Sequence, residues 1–220
     1  MWCIAEIDEE YQQRMYDLLD LYEEEYDPKR PVICLDEKPK QLIKDKRSPI
    51  PMEKGKIERY DYEYERNGKA NIFVAVDFKV GKRDITVTDR RTKKDFAIYL
   101  KHLIDNIFPE AEKLRIVLDN LNTHTEKSII ENFDEIEAKK ILEKIEFHPT
   151  PKHASWLNVA EIEINVMDIE CTGRRIGNKE ALIRETSAWC DQRNEKESKI
   201  NWKFTKKDAD KKLSKYYIKN

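Results

Sequence analysis

The sequence predicts an α/β fold in which helices flank a mixed five-stranded sheet. Three observations support this fold class. An apolar run at residues 32–35 predicts a buried strand, and residues 60–88 combine an alternating segment, turn residues and two further strand-like runs, as in a strand meander. From residue 92 onward, segments with helical spacing alternate with short apolar runs. This order of elements is typical of layered domains in which helices cover a sheet.

The first elements are a helix and a strand. Apolar side chains recur at helical spacing across residues 8–26, Asp8 to Glu10 suit the positive end of the helix dipole, and Asp27-Pro28 ends the helix. Residues 32–36 follow as the first strand. We expect this strand at an edge of the meander or added beside it.

The meander is predicted from alternation and turn residues. Tyr60, Tyr62 and Tyr64 alternate with acidic residues, and Asn67-Gly68 predicts a type I′ hairpin turn. Residues 72–76 form the return strand, and residues 85–88 form a third strand after the turn at 80–82.

The second half of the chain changes period. Thr92-x-x-Asp95 predicts a capping box for a helix that ends before Pro109. Residues 115–118 form a buried strand, either Thr123 or Thr125 caps a helix that runs to about residue 142, and residues 145–147 form the last strand. Further helices are predicted over about 159–171, 178–195 and 205–217. A strand meander followed by α-β-α-β-α predicts a ribonuclease H-like fold.

Charge is abundant and segregated. The chain is 39% charged with a net charge of −2, but residues 1–27 carry a net −9, residues 38–59 a net +5 and residues 199–220 a net +6. Basic blocks fit a nucleic-acid backbone, although a solvated lysine-rich tail explains the last block equally well. The four cysteines form no Cys-x-x-Cys pair, and no signal peptide or run of 18 apolar residues is visible. We expect a cytoplasmic protein without a membrane partner.

Three acidic residues are the main candidates for chemistry. Asp36 and Asp119 each end an apolar run, and Glu161 lies in the first turn of a predicted helix. Carboxylates at strand ends face the crevice where open α/β sheets bind ligands, and oxygen ligands there suit Mg²⁺. Each residue also has a structural explanation: Asp36 closes a strand, and Glu161 occupies the capping-box position after Asn158.

The surroundings of these acids contain further polar residues. Asp119 is followed within five positions by Asn120, Asn122, Thr123 and His124, which is more than a plain loop needs. His124 is predicted either to contact a phosphate or to begin the next helix. Among the neighbouring acids, Glu37 alternates to the opposite face of its strand, Asp77 ends a strand as a spare acid, Glu163 faces elsewhere on its helix, and Asp168 shares the face of Glu161 two turns deeper.

Three segments together resemble the signature blocks of a DDE-type transposase. They are Leu35-Asp36-Glu37-Lys38, Leu118-Asp119-Asn120-Leu121-Asn122-Thr123-His124, and the run from His153 to Glu161 that contains Trp156-Leu157-Asn158. The branch that the chain resembles is the bacterial insertion-sequence group related to the Tc/mariner superfamily. The resemblance covers most of the chain from about residue 28 to about residue 170.

The resemblance implies a ribonuclease H-like domain with two Mg²⁺ ions, for which Mn²⁺ substitutes. Asp36, Asp119 and Glu161 then form the catalytic and metal-binding trio. The implied chemistry is cleavage of a DNA strand at a transposon end, followed by attack of the freed 3′-hydroxyl on target DNA. The implied partners are transposon ends and target DNA, bound by a homodimer, and the implied location is the bacterial nucleoid. Candidate DNA contacts are Lys38, Lys40, Lys44, Arg47, Asn120, Asn122, His124, Asn158 and the lysine-rich tail.

One departure from the family concerns the N-terminal region. Nothing before residue 28 looks like the helix-turn-helix that reads transposon ends, so we expect a split or truncated copy that works with an upstream helix-turn-helix polypeptide. The predicted organisation is a helical linker at 1–28, a catalytic domain at 29–196 and a basic helical tail at 197–220. The alternative functions are a stand-alone ribonuclease H-like nuclease and an inactive DNA-binding remnant.

Overall fold

The computed structural model describes residues 7–218. The outer ends of the predicted linker and tail, residues 1–6 and 219–220, lie outside the described residues. Within the described residues, no helix is both long and apolar enough to cross a membrane.

Five strands form one mixed sheet in the order β3-β2-β1-β4-β5. β1 pairs antiparallel with β2 and parallel with β4, and the pairs β2–β3 and β4–β5 are antiparallel and parallel, respectively. This sheet confirms the predicted fold class. The strands are β1 (Val32–Asp45), β2 (Tyr64–Asp77), β3 (Lys82–Thr88), β4 (Leu114–Leu118) and β5 (Ile145–Pro149).

β1 pairs with β2 and therefore lies beside the meander, as one of the two expected placements had it, and it is the central strand of the whole sheet. It is longer than predicted, because it continues nine residues past Asp36 to Asp45. Asn67-Gly68 is not a hairpin turn but lies inside β2, where the pairing shifts between Gln41↔Lys69 and Ile43↔Arg66. Gly68 has φ +89°, and a β-bulge uses a glycine with positive φ just as a type I′ turn does. The long-range partner β1 therefore decides between turn and bulge. Tyr60 and Tyr62 lie in the exposed segment before β2.

Side-chain caps fix most helix starts. Thr92 and Asp95 form the predicted capping box of α2, and the Asn178 side chain accepts the Ala181 N–H at the start of α6. A cap of this kind contributes about 1 kcal/mol. The helices are α1 (Glu9–Glu23), α2 (Lys93–His102), α3 (Glu126–Ile130), α4 (Glu135–Glu143), α5 (Val159–Met167), α6 (Lys179–Glu195) and α7 (Lys206–Leu213).

Three predicted helices differ in detail from the structure. The helix predicted up to about residue 142 is two helices, because the Asp134 side chain accepts the Glu137 N–H at 2.9 Å and starts α4 anew. The helices α2 and α5 continue as π-helical turns over Leu103–Ile107 and Asp168–Thr172. Each π-helical turn ends with a backbone hydrogen bond rather than at a proline. The Phe108 N–H donates to the Leu103 carbonyl oxygen at 2.8 Å, and the Gly173 N–H donates to the Asp168 carbonyl oxygen at 2.6 Å.

The two faces of β1 belong to different cores. Val32 and Cys34 pack with α1, α7 and the start of α5, whereas Ile33 and Leu35 pack with α2, α4 and β4. Side chains alternate along a strand, so Asp36 continues the first face and Glu37 the second. The predicted linker, domain and tail share the first core through Leu18, Val32 and Leu213. Each fully buried aliphatic side chain stabilises the fold by about 1.5–3 kcal/mol.

Candidate active site

Sheet register brings Asp36 and Asp119 together. β1 and β4 run parallel with Cys34 paired to Val117, so two residues further on Asp36 lies beside Asp119. Asp36 is half-buried within the central strand, and Asp119 is the first residue after β4. Two residues 83 positions apart in sequence are therefore neighbours across one strand pair.

Asn158 ties the start of α5, the helix that carries Glu161, to β1. The Asn158 Nδ2 donates to the Leu35 carbonyl oxygen at 2.8 Å, and its Oδ1 accepts the Ala160 N–H at 3.1 Å. Buried Asn158 thus caps α5 and ties the first turn of this helix to β1 one residue before Asp36. The capping-box explanation for Glu161 is not supported, because the cap bond goes to Ala160 and, within residues 7–218, the Glu161 carboxylate makes no bond to the Asn158 N–H. The carboxylate is left available.

Asn158 variants separate capping from tethering. Asn158→Ala is expected to lower the free energy of unfolding by about 1–2 kcal/mol, because the helix loses its cap and the Leu35 carbonyl loses its donor. Asn158→Asp keeps the acceptor for the Ala160 N–H but removes the donor to Leu35. We expect Asn158→Asp to lose at least as much stability in urea unfolding as Asn158→Ala, because a buried carboxylate oxygen then faces the Leu35 carbonyl oxygen beside other negative charges. Equal stability of wild type and Asn158→Ala would contradict the tether.

The raised pKa of Asp36 indicates that the other two acids are near enough to act on its charge. Burial, together with the negative charges of Asp119, Glu37 and Glu161, raises the pKa of Asp36 to about 7, although the Glu37 N–H, which donates to its carboxylate at 2.7 Å, acts in the opposite direction. A carboxylate surrounded by like charges favours its neutral form. Within the described residues no ion pair offsets the charge of Asp36 or Glu161, so the cluster has room for a cation.

The His124 imidazole binds the Asp119 carboxylate. Its Nδ1 lies 2.6 Å from Asp119 Oδ1, and its Nε2 lies 2.7 Å from Glu37 Oε1. Burial opposes the charged form of the imidazole, but bonds to the two carboxylates outweigh it and raise the pKa of His124 to about 9. Both ring nitrogens then donate. The fully buried ring lies against Phe96 at a centroid distance of 4.6 Å.

The donor set fits a divalent cation. Asp36, Asp119 and Glu161 offer hard oxygen ligands, which Mg²⁺ prefers, and a cation among them would offset the repulsion that raises the pKa of Asp36. Over residues 7–218, no three His, Cys, Asp or Glu side chains already stand close enough to enclose an ion. Among the described residues the three acids are therefore electrostatic neighbours and not a closed cage.

The other acids near this region have partners of their own. Asp77 accepts the Lys79 and Val80 N–H groups at 3.2 and 3.4 Å in the turn after β2, and burial raises its pKa to about 6. Glu163 is buried against two arginines on the opposite side of α5. Asp168 binds the Lys38 ammonium and accepts the Thr172 hydroxyl at 2.6 Å. These contacts give each acid a structural role.

Four of the predicted DNA contacts point inward. Lys38 pairs with Asp168, and the Lys40 ammonium donates to the Thr172 carbonyl oxygen and, at 3.0 Å, to that of Arg174. His124 and Asn158 are buried with their polar atoms engaged. This placement disfavours direct phosphate contact by these four residues.

The remaining predicted contacts face solvent. Lys44 and Arg47 are exposed and line an open groove together with Lys46 and Arg175, and the Arg47 guanidinium also pairs with Asp61 at 2.7 Å. Asn122 is exposed in the loop after β4. Asn120 is tied down, since it accepts from Arg14 at 3.3 Å and donates to the Thr150 carbonyl oxygen at 2.7 Å. The exposed basic groove thus lies at the C-terminal end of β1, away from Asp36.

Sequence reasoning missed the role of Glu37. Alternation correctly places it on the face of β1 opposite Asp36, but its partner His124 lies 87 positions away. The signal available in the sequence was the acidic Glu37 directly after Asp36. Only the fold shows that His124 links Glu37 to Asp119.

Comparisons with known proteins identify the family and the fold. Residues 31–183 match the family model described as DDE superfamily endonuclease. A search of curated proteins gave no significant match. Among solved structures, the chain is similar to the Mos1 transposase paired-end complex with left transposon end, at 16% identity and a TM-score of 0.57 over 87% of this chain and 57% of that chain.

Two further Mos1 structures show the same likeness. The Mos1 mariner paired end complex with Mn gives a TM-score of 0.55 at 16% identity over 87% of this chain and 58% of that one. The Mos1 Strand Transfer Complex gives 0.56 at 14% identity over 82% and 53%. The chain therefore spans a little over half the length of these proteins, and the likeness confirms the ribonuclease H-like fold. With the family match over well more than half of its residues, this chain belongs to the DDE superfamily endonuclease family.

Proposed function

We propose that this chain is the catalytic domain of an insertion-sequence DDE transposase, which cleaves DNA strands and transfers them in a metal-dependent reaction. Asp36, Asp119 and Glu161 hold two Mg²⁺ ions, and Mn²⁺ substitutes. The convergence of these three acids on the central strand carries the proposal. The similar Mos1 structures are transposase complexes that contain transposon ends, which supports DNA as the substrate.

The residues of this chain supply ligands on rigid supports. Asp36 belongs to the central strand, Asp119 is held by His124, and Glu161 is held by the Asn158 tether. When bound, divalent ions supply Lewis-acid activation of the attacking and leaving oxygens of an in-line phosphodiester displacement. Supports of this kind keep the ligands within the small tolerances that such chemistry needs.

DNA binding is assigned to the exposed cations. Lys44 and Arg47 in the open groove, and the lysine-rich tail, contact phosphates, while Asn122 faces the substrate beside Asp119. Each phosphate contact steepens the salt dependence of binding by about 0.9 in log–log slope. The working assembly is a homodimer on transposon ends at the bacterial nucleoid, aided by an upstream helix-turn-helix polypeptide.

A strand-joining assay tests this function. The full chain, fused to a DNA-binding domain of known site, is given a labelled duplex that carries this site beside a cleavable end. We expect nicking in Mg²⁺ or Mn²⁺, none in EDTA, and joined products that contain both labelled and target DNA.

The other outcomes separate the alternatives. Nicking of generic DNA without joined products would favour a stand-alone nuclease. Absence of nicking, together with absence of heat in a calorimetric titration with Mn²⁺, would favour an inactive DNA-binding remnant, since such a remnant need bind no divalent ion.

A further inference from the structure

A buried imidazole joins two carboxylates from different strands. His124 lies between Glu37 on β1 and Asp119 at the end of β4, with nitrogen–oxygen distances of 2.7 and 2.6 Å. The side chains of His124 and Glu37 are 0% and 1% exposed, whereas that of Asp119 is 31% exposed. The row of three groups therefore runs from the interior outward and ends at the candidate metal ligand.

The enclosure leaves the imidazole little freedom to rotate. The Phe96 ring covers one side at a centroid distance of 4.6 Å, and the His124 backbone N–H donates to the Leu121 carbonyl oxygen at 2.9 Å. The Ser128 hydroxyl donates to the Thr123 carbonyl oxygen at 2.7 Å and holds the loop closed next to the ring. Fixed at ring and backbone, His124 can hold Asp119 in one orientation.

The two carboxylate oxygens of Asp119 differ in their contacts. Oδ1 faces His124 Nδ1 and lies 3.4 Å from the Leu121 backbone N–H, while Oδ2 makes no hydrogen bond within the described part of the chain. Glu37 cannot join Asp36 directly, because adjacent residues of β1 point to opposite faces. Glu37 therefore acts on the candidate metal site only through His124, which contacts both Glu37 and Asp119.

We infer that His124 and Glu37 are positioning residues that clamp Asp119 through Oδ1 and so present Oδ2 to the divalent ion. The inference rests on the proposed function. Removal of one partner that orients a metal ligand typically lowers metal affinity by about 10–100-fold. A histidine with a purely structural role in the loop would leave metal affinity unchanged in any variant that folds.

Calorimetric titration of the full chain with Mn²⁺ alone tests the inference. His124→Gln is expected to bind Mn²⁺ about 10–100-fold more weakly than wild type. Glu37→Gln keeps an acceptor for the imidazole but not its charge, so we expect a smaller loss, of about threefold or more, since charge-assisted hydrogen bonds are roughly twice as strong. Glu143→Gln makes the same change in an exposed ion pair with Lys139 on α4 and is expected to keep wild-type affinity.

A second measurement uses the wild-type protein and covers the case in which His124→Gln fails to fold. In ¹⁵N nuclear magnetic resonance, Mg²⁺ should shift both ring nitrogens of His124 in wild type and in Glu143→Gln, but not in Asp119→Asn. In the nicking assay, excess Mn²⁺ should restore the activity of folded His124→Gln toward wild type, because a positioning defect weakens binding without removing a ligand.

The outcomes distinguish this inference from the proposed function. If wild type binds Mn²⁺ and folded His124→Gln or Glu37→Gln binds it equally well, the clamp is wrong and the metal site stands. Ring nitrogens that do not respond to Mg²⁺ would have the same meaning. If wild type binds no Mn²⁺, both the proposed function and the clamp are overturned.

Discussion

Asp119→Asn is expected to abolish DNA nicking while the fold and DNA binding stay intact. The amide oxygen can still accept from His124, but an NH₂ group replaces the free oxygen and cannot ligate a cation. Loss of a ligand removes several kcal/mol of transition-state stabilisation, and each 1.4 kcal/mol is tenfold in rate, so the rate should fall at least about 10³-fold. The assay is nicking of an end-bearing duplex by the full-chain fusion in Mg²⁺.

A matched control strengthens this prediction. Asp191→Asn makes the same change at an exposed acid on α6 and is expected to nick at the wild-type rate. DNA affinity, measured by fluorescence anisotropy in EDTA, should be equal for wild type and both variants. Equal nicking by wild type and Asp119→Asn would rule out the metal assignment of Asp119.

Glu163→Ala is expected to lower the free energy of unfolding by about 3–5 kcal/mol, because it leaves buried arginine charge without a partner. Glu163 Oε1 lies 2.8 Å from Arg83 Nε and 2.8 Å from Arg193 Nε, and the side chains of Glu163 and Arg83 are both 0% exposed. The Arg83 Nε–H is not directed at the carboxylate, so charge rather than a well-aligned hydrogen bond holds this contact. Urea unfolding with an unchanged m-value measures the loss.

An exposed ion pair provides the control for the same measurement. Glu131 pairs with Lys93 at 2.9 Å, with both side chains about two-fifths exposed. Glu131→Ala should therefore change stability by less than about 1 kcal/mol. A loss of similar size for Glu163→Ala would mean that the buried arginines find other partners, for which the Gly81 and Ser198 carbonyl oxygens near Arg83 are the candidates.

Local sequence signals were reliable where the decisive contacts are local. The capping box of Thr92 and Asp95 and the cap at Asn178 involve residues three positions apart, and both helices begin where predicted. The strands at 32–36, 72–76, 85–88, 115–118 and 145–147 were also predictable from apolar runs, whereas the separate strand expected around residues 60–64 does not form. The helix break at Asp134 carried a local signal as well, a capping residue followed by acidic residues, which a continuous helical pattern obscured.

Contacts between distant segments decided the rest. The same Asn67-Gly68 dipeptide serves a turn or a bulge, and the choice fell to β1, about 25 residues upstream. Lys38 and Lys40 looked like solvent-facing cations, yet the end of the α5 segment, 130 and 132 positions away, supplies oxygens that hold both.

By itself the sequence determined the fold class and the family and named three candidate acids, because apolar periodicity and short signature blocks are patterns of neighbouring residues. Only the tertiary structure decided which side chains meet. It set β1 at the centre of the sheet, turned Asp36 and Glu37 to opposite faces, and placed His124 between Glu37 and Asp119. The physical reason is that burial and charge pairing act through space, so the partner of a buried polar group is fixed by packing rather than by distance along the chain.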